Sequence, residues 1–333
     1  MNVRELVSAY NCVLAAIYNY LADVYKFKFP VESMYITPRI LELSRKDGIL
    51  SITLPEYVIK NFLDSIEAEI RFPDMKSVNE AIAFADEHLQ KKGVVPVNIN
   101  LRYDILEPLS FDNDYWHFHL IVERASSHQF RMFDQFENEY YLVEEEHLKK
   151  AMDTEFNYRF SPGFTPFMLI HVPAERVELT AQKLKSRQIG WHEISSVIEH
   201  YPLQHNIEQG LMLTSYFARF HKEKPSAETK YHVLNYSLII AKSREAYIRC
   251  MEKTFGTSMR HNQMAEDLYS VYQYWMEFRN TLGMALTRCG IESFDGLDEK
   301  YKALIEYEYD TFSRVLNWIK GEGLNRHIID GNS

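Results

Sequence analysis

The sequence predicts an α+β protein in two parts, a mixed module over residues 1–175 followed by an all-α helical bundle over residues 176–333. Two observations carry this. In the first half, helical periodicity alternates with short runs of period two. From about Val177 onward, amphipathic runs follow one another, broken only by Gly, Pro or short polar loops. The composition is globular, 46% apolar and 25% charged, and 333 residues suffice for two ordinary cores. The change of signal falls near Pro173–Ala181, where the boundary is placed.

The elements follow in order. "MNVRELVSAYNCVLAAIYNYLADVY" is apolar but interrupted by Glu5, Asn11, Asn19 and Asp23. With one early arginine and no small-residue cleavage pattern, it reads as a helix and not as a signal peptide. Val13, Ala16, Ile17, Tyr20 and Leu21 recur at helical spacing. "DGILSITLP" is a turn and a short strand, and "PEYVIKNFLDSIEAEI" a helix entered through Pro55. "SVNEAIAFADEHLQKKG" opens with the capping box Ser77/Glu80 and closes on Lys91, Lys92 and Gly93. In "VVPVNINLRYD", Val95, Val97, Ile99, Leu101 and Tyr103 alternate with mostly polar partners, the pattern of a strand with one polar face. "YWHFHLIVERASSHQFRMFD" reads as two strands around "ASS", "EEEHLKKAM" as a short helix, and "GFTPFMLIHVP" as a further strand. Six helical runs complete the chain, from "AERVELTAQKLKSRQ" to "LDEKYKALIEYEYDTFSRVLNWIKG".

Charge and composition exclude several classes. A formal charge of −10 with no Lys/Arg block opposes nucleic-acid binding and docking on an anionic membrane. No run approaches the ~18 apolar residues of a membrane helix. Cys12, Cys250 and Cys289 are too few and scattered for a disulfide framework or a four-Cys zinc site, and a reducing cytoplasm is the expected compartment.

The chemistry concentrates in residues 115–134. His117, His119 and Glu123 match H-x-H-x3-E, a spacing that on a strand aims two imidazoles and a carboxylate at one metal. The second histidine motif of a cupin is not visible, and the rest of the chain is too helical for a jelly roll. Cys12 offers another reading. It stands after Asn11, a residue type common at N-caps, where a helix could begin and its dipole could lower a thiol pKa. A buried structural Cys is the bland alternative. A histidine on one strand and a carboxylate on the next can supply the rest of a triad. A four-residue loop, Arg124–Ser127, sets His117 opposite Asp134 and Ile121 opposite Phe130. A two-residue loop, Ser126-Ser127, sets His119 opposite Asp134. The first register keeps apolar with apolar and favours His117 as the base, with His119 as the alternative.

The order of these parts resembles the N-terminal domain of butirosin biosynthesis protein H and its relatives, which share a papain-like fold with the C39 peptidases. The resemblance rests on "NCVLAAI", "KKGVVPVNINLRYDILEP", "HFHLIV", "RMFD" and "EEEHLKKAM", and covers about the first 150 residues. Glu123-Arg124 replace the Gly that ends the His strand in that family, and Gln135 stands where Pro follows the Asp. The resemblance implies a papain-like catalytic domain with Cys12 as nucleophile, His117 or His119 as base and then acid, and Asp134 as its orienting partner. It further implies acyl transfer from a carrier-protein thioester to a small-molecule amine in natural-product biosynthesis, with no metal and no redox cofactor. A peptidase, amidase or thioesterase would use the same triad. The helical part would shape an acceptor pocket or dock the carrier protein, and a homodimer is compatible with the sequence. A non-enzymatic interaction protein would carry an unreactive Cys12. The aromatic runs "SVYQYWMEF" and "YEYDTF" suit a pocket wall or plain core.

Overall fold

The computed structural model describes residues 12–29, 42–46, 49–53, 56–104, 116–135, 137–158, 163–185, 203–218, 263–288 and 295–318, with isolated positions at 31, 34, 320 and between 199 and 249. Its elements in chain order begin with α1 (Cys12–Val24), β1 (Glu42–Lys46), β2 (Ile49–Thr53), α2 (Glu56–Ser65), β3 (Glu69–Arg71), α3 (Val78–Lys91) and β4 (Val95–Asn100). Then follow β5 (Trp116–Arg124), β6 (Gln129–Asp134), β7 (Glu139–Glu144), α4 (Glu145–Met152), β8 (Leu169–His171) and α5 (Val177–Lys185). Three long helices close the described chain: α6 (Leu203–Ala218), α7 (Met264–Arg288) and α8 (Leu297–Trp318). This is a mixed α and β architecture with small antiparallel sheets. Among the described residues no helix is long and apolar enough to cross a membrane.

The chain divides into two compact units, Met1–Val31 with Phe62–Ser186, and Glu32–Asn61 with Arg187–Ser333. The break near residue 186 lies about ten residues beyond the expected boundary, because α5 stays with the first unit through Thr180, whose hydroxyl donates to the Ile66 carbonyl at 3.1 Å. The β1–β2 hairpin groups with the helical unit, so that unit is not purely helical. The sequence of β1, "ELSRK", has too few apolar residues to announce a strand.

The centre of the first unit is the four-stranded antiparallel sheet β4–β5–β6–β7. One face carries Val95, Val97, Ile99, Ile121, Phe130, Met132 and Val143 against Ala81, Ile82 and Ala85 of α3 and Leu148, Ala151 and Met152 of α4. Half of the expected capping box of α3 forms: Ser77 accepts from the Glu80 amide at 3.2 Å, while Glu80 reaches one residue further back and accepts from the Lys76 amide at 2.6 Å. The expected polar face of β4 is not there. All six residues from Val95 to Asn100 are buried, and Leu101–Tyr103 form a 3-10 turn. The alternate face is covered as well, because α1 packs against β4 and β5, and the free edge is closed where the Asn98 amide donates to Pro166 at 2.7 Å and Met168 to Pro96 at 3.2 Å.

Helix α1 packs against β4, β5 and β8. It buries Leu14, Ala15, Ala16, Ile17, Asn19, Tyr20 and Leu21, nearly its whole circumference, as befits a helix inside the unit and not on its surface. Its last turn is fastened by Asp23, which accepts from the Val94 amide at 2.8 Å. Gly93 makes this approach feasible. Its φ is +138°, and a Cβ there would lie 2.3 Å from Asp23 Oδ2. Beyond the helix, the Tyr25 hydroxyl donates to the Ile170 carbonyl and accepts from the Val172 amide, both at 3.1 Å.

In the second unit α8 packs against α6 and α7 around Trp275, Phe278, Leu282, Tyr301 and Ile305. Gly210 lets α6 approach α8, since a Cβ there would overlap the Tyr301 ring at 1.6 Å. Inside this core Arg244 grips Glu308 through Nε and Nη2 at 3.1 and 2.6 Å, and the Trp275 indole donates to the same carboxylate. The aromatic runs noted in the sequence therefore split: Trp275, Phe278 and Phe312 are core, whereas Tyr274 and Tyr309 are exposed.

Candidate active site

Cys12 is the first described residue of α1, and the amide of the next residue, Val13, points at its sulfur. Asn11, read as its N-cap, lies outside the described residues, as do Cys250 and Cys289. The thiol is hydrogen-bonded to the His117 side chain and to the main-chain amides of Phe118 and Val13. Burial alone would push it up. The His117 charge and these three hydrogen bonds outweigh that cost and hold the thiol below the ordinary cysteine range.

Behind His117 lies a buried polar layer. One ligand-type atom from each of His117, His119 and Asp134 falls within 4.8 Å of the other two. The two imidazole centroids are 5.5 Å apart at a steep angle. His119 is fully buried; its Nδ1 shares a 2.8 Å hydrogen bond with the Tyr141 hydroxyl. Its Nε2 faces Asp104 Oδ2 at 3.6 Å and Asp134 Oδ2 at 3.9 Å. Burial pulls His119 down to about 4 against the opposing pull of Asp134, so the ring is neutral near pH 7. Burial first, and then both carboxylates, raise Tyr141 far above its usual range and keep it a neutral hydroxyl. His117 is half-buried and touches the thiol, whereas His119 is shut off from solvent.

The expected strand register is overturned. Leu120 pairs with Phe133 and Ile121 with Met132, but Glu123 pairs with Arg131 and Arg124 with Phe130. Neither Ile121 opposite Phe130 nor His117 opposite Asp134 occurs. A bulge at Val122 absorbs one residue, so a four-residue turn, Ala125–His128, coexists with the pairing expected for the shorter loop. Continuing that ladder one step sets His119 beside Asp134. The histidine that meets the thiol is nonetheless His117, which stands past the end of β6 and reaches toward the head of α1.

The metal spacing His117/His119/Glu123 is also not realised as read. Glu123 lies beyond the bulge and pairs with Arg131 at 2.9 Å, and the carboxylate that joins the two histidines is Asp134.

Three residues of the site, Asp104, Tyr141 and Gln135, were not singled out as functional from the sequence. Asp104 follows the 3-10 turn that Asn100 caps by accepting from the Arg102 amide at 2.9 Å. Tyr141 lies on β7, whose "EYYLVE" carries the alternation of a strand. Gln135, fully buried, donates through Nε2 to the carbonyls of Phe118 at 3.0 Å and Cys12 at 3.3 Å. Its Oε1 accepts from Asn19 of α1 at 3.2 Å. The position where the resembled family carries Pro thus holds a side chain that ties the head of α1 to β5. Pro would supply none of these bonds.

These features together define a thiol–imidazole pair on a helix-and-sheet frame, backed by a buried carboxylate layer. No protein-family model matches the chain, and no curated protein is detectably similar to it.

Proposed function

We propose that the first unit is a papain-like cysteine acyltransferase. The observation that carries the reading is the hydrogen-bonded pair of Cys12, at the head of α1, and His117, on β5. A nucleophile on a buried helix and a base on an adjacent antiparallel strand suit a papain-like arrangement, but that arrangement alone is common to transferases and hydrolases.

In this reading the Cys12 thiolate attacks the carbonyl of a carrier-protein thioester, and the protonated His117 gives its proton to the departing thiol. An amine then attacks the Cys12 acyl thioester. His117 takes the amine proton as the amide forms, and Cys12 is regenerated as the thiolate beside protonated His117. Asp134, with one carboxylate oxygen within 4.8 Å of a His117 ring nitrogen, stands where it can orient that ring, and His119, held neutral, does not compete for the proton. Water in place of the amine would make the same site a hydrolase. The carrier protein, the amine acceptor, a natural-product pathway and a cytoplasmic location belong to this proposal.

The test is intact-mass analysis after incubation with a small acyl thioester such as an acyl-N-acetylcysteamine. An acyl adduct on Cys12 is expected, lost in Cys12→Ala and discharged faster by added amine than by buffer. An adduct on another residue, or none, would refute the thiol mechanism. Equal discharge by buffer would assign a hydrolase.

A further inference from the structure

We infer that His117, His119 and Asp134 form a binding site for a divalent transition-metal ion, and that a metal bound there switches the thiol chemistry off. The switch, though not the site, rests on the thiol reading above.

Two independent observations support the site. First, the two imidazoles and the carboxylate converge, one donor atom of each lying within 4.8 Å of the others. Second, His119 Nε2 is buried without a hydrogen-bond partner and is aimed into this cluster, 3.6 Å from Asp104 Oδ2 and 3.9 Å from Asp134 Oδ2. That nitrogen is left without a hydrogen bond, and a cation held by it, His117 and Asp134 would engage it. Tyr141, bonded to Nδ1 at 2.8 Å, fixes the ring as an outer partner fixes a metal-ligating histidine.

Two imidazoles and one carboxylate suit zinc and other first-row divalent ions. Donors bound at ~2.0–2.1 Å in a tetrahedron stand about 3.4 Å apart, so no separation has to close by more than roughly 1.4 Å. The Cys12 thiol is outside this donor set. Exclusion of the thiol chemistry follows from the imidazole. A neutral ring has one basic nitrogen; once a metal holds it, His117 cannot also accept a proton from the thiol or the amine.

The experiment uses untagged full-length protein stripped of metal with EDTA and titrated calorimetrically with Zn²⁺ near neutral pH. One ion per chain is expected. His119→Gln and Asp134→Asn should each weaken it by about tenfold or more, whereas Cys12→Ala should bind as the unaltered protein does. Co²⁺ loaded into the unaltered protein should show no thiolate-to-cobalt charge-transfer band, a readout that needs no variant to fold. Absence of stoichiometric binding, binding indifferent to both substitutions, or a charge-transfer band would overturn the site. Acylation of Cys12 in the metal-free protein is scored separately. Its loss on adding Zn²⁺ is the expected switch, and an unchanged rate in metal-loaded protein overturns the switch.

Discussion

The side-chain amide of Gln135 donates to the main-chain carbonyl of Cys12 across 3.3 Å, and the same nitrogen holds the Phe118 carbonyl at 3.0 Å. One buried side chain thereby spaces the residue carrying the sulfur from the residue whose amide binds that sulfur. Gln135→Leu keeps the volume and removes these bonds, leaving buried carbonyls without their donor. A loss of about 1–3 kcal/mol in urea unfolding is expected. Slower alkylation of Cys12 is expected alongside it. Unchanged alkylation would show that Gln135 serves stability alone.

The thiol should retain reactivity toward iodoacetamide below the pH range of an ordinary cysteine, ~8.5. In His117→Gln the burial that raises the thiol persists while the opposing charge is gone, so the profile should move upward. At neutral pH the rate should fall by about tenfold or more. His119→Gln, which does not touch the sulfur, should shift the profile far less. Equal shifts in the two variants would mean that the pairing of His117 with Cys12 is not what sets the thiol.

Acid should destabilise the first unit through its buried histidines. His119 and His88 are each depressed to about 4, chiefly by burial. The unfolded chain takes up these protons near pH 6.5 and the folded chain near 4. Stability from both groups is therefore complete above about pH 6.5 and declines as the pH falls toward 4, by on the order of 3 kcal/mol for each. His119→Gln should flatten that decline. A melting temperature constant from pH 7 to about 4.5 would contradict the assignment.

In the second unit, Arg244→Ala leaves the Glu308 carboxylate buried with only part of its bonding, at an expected cost of about 3–5 kcal/mol. Replacing both members, Arg244→Met with Glu308→Leu, should recover part of that loss because no lone charge remains. Urea unfolding of the single and double variants measures the coupling. Additive effects would rule out a direct interaction.

The features legible in the sequence are those settled within a few residues. The capping box at Ser77 and Glu80, helix α4 in "EEEHLKKAM", the strands on either side of "ASS" and the helical periodicity near Cys12 all depend on neighbours one to four places away. Residue chemistry likewise limited the candidates for a thiol and imidazole site to a handful. The partner of the sulfur was a different matter. It depends on a contact between residues more than a hundred positions apart and on a strand register that one bulged residue at Val122 displaces. Hydrophobic pattern could not reveal that extra residue, since Ile121 meets an apolar partner in either register. Asp104 and Tyr141 acquire their places beside His119 only through packing of the completed sheet, and Gln135 matters only once α1 lies against β5. Local preference thus determined the pieces, while the folded chain decided which polar groups came to share one water-poor space, because burial and Coulomb interactions act between neighbours in space and not along the sequence.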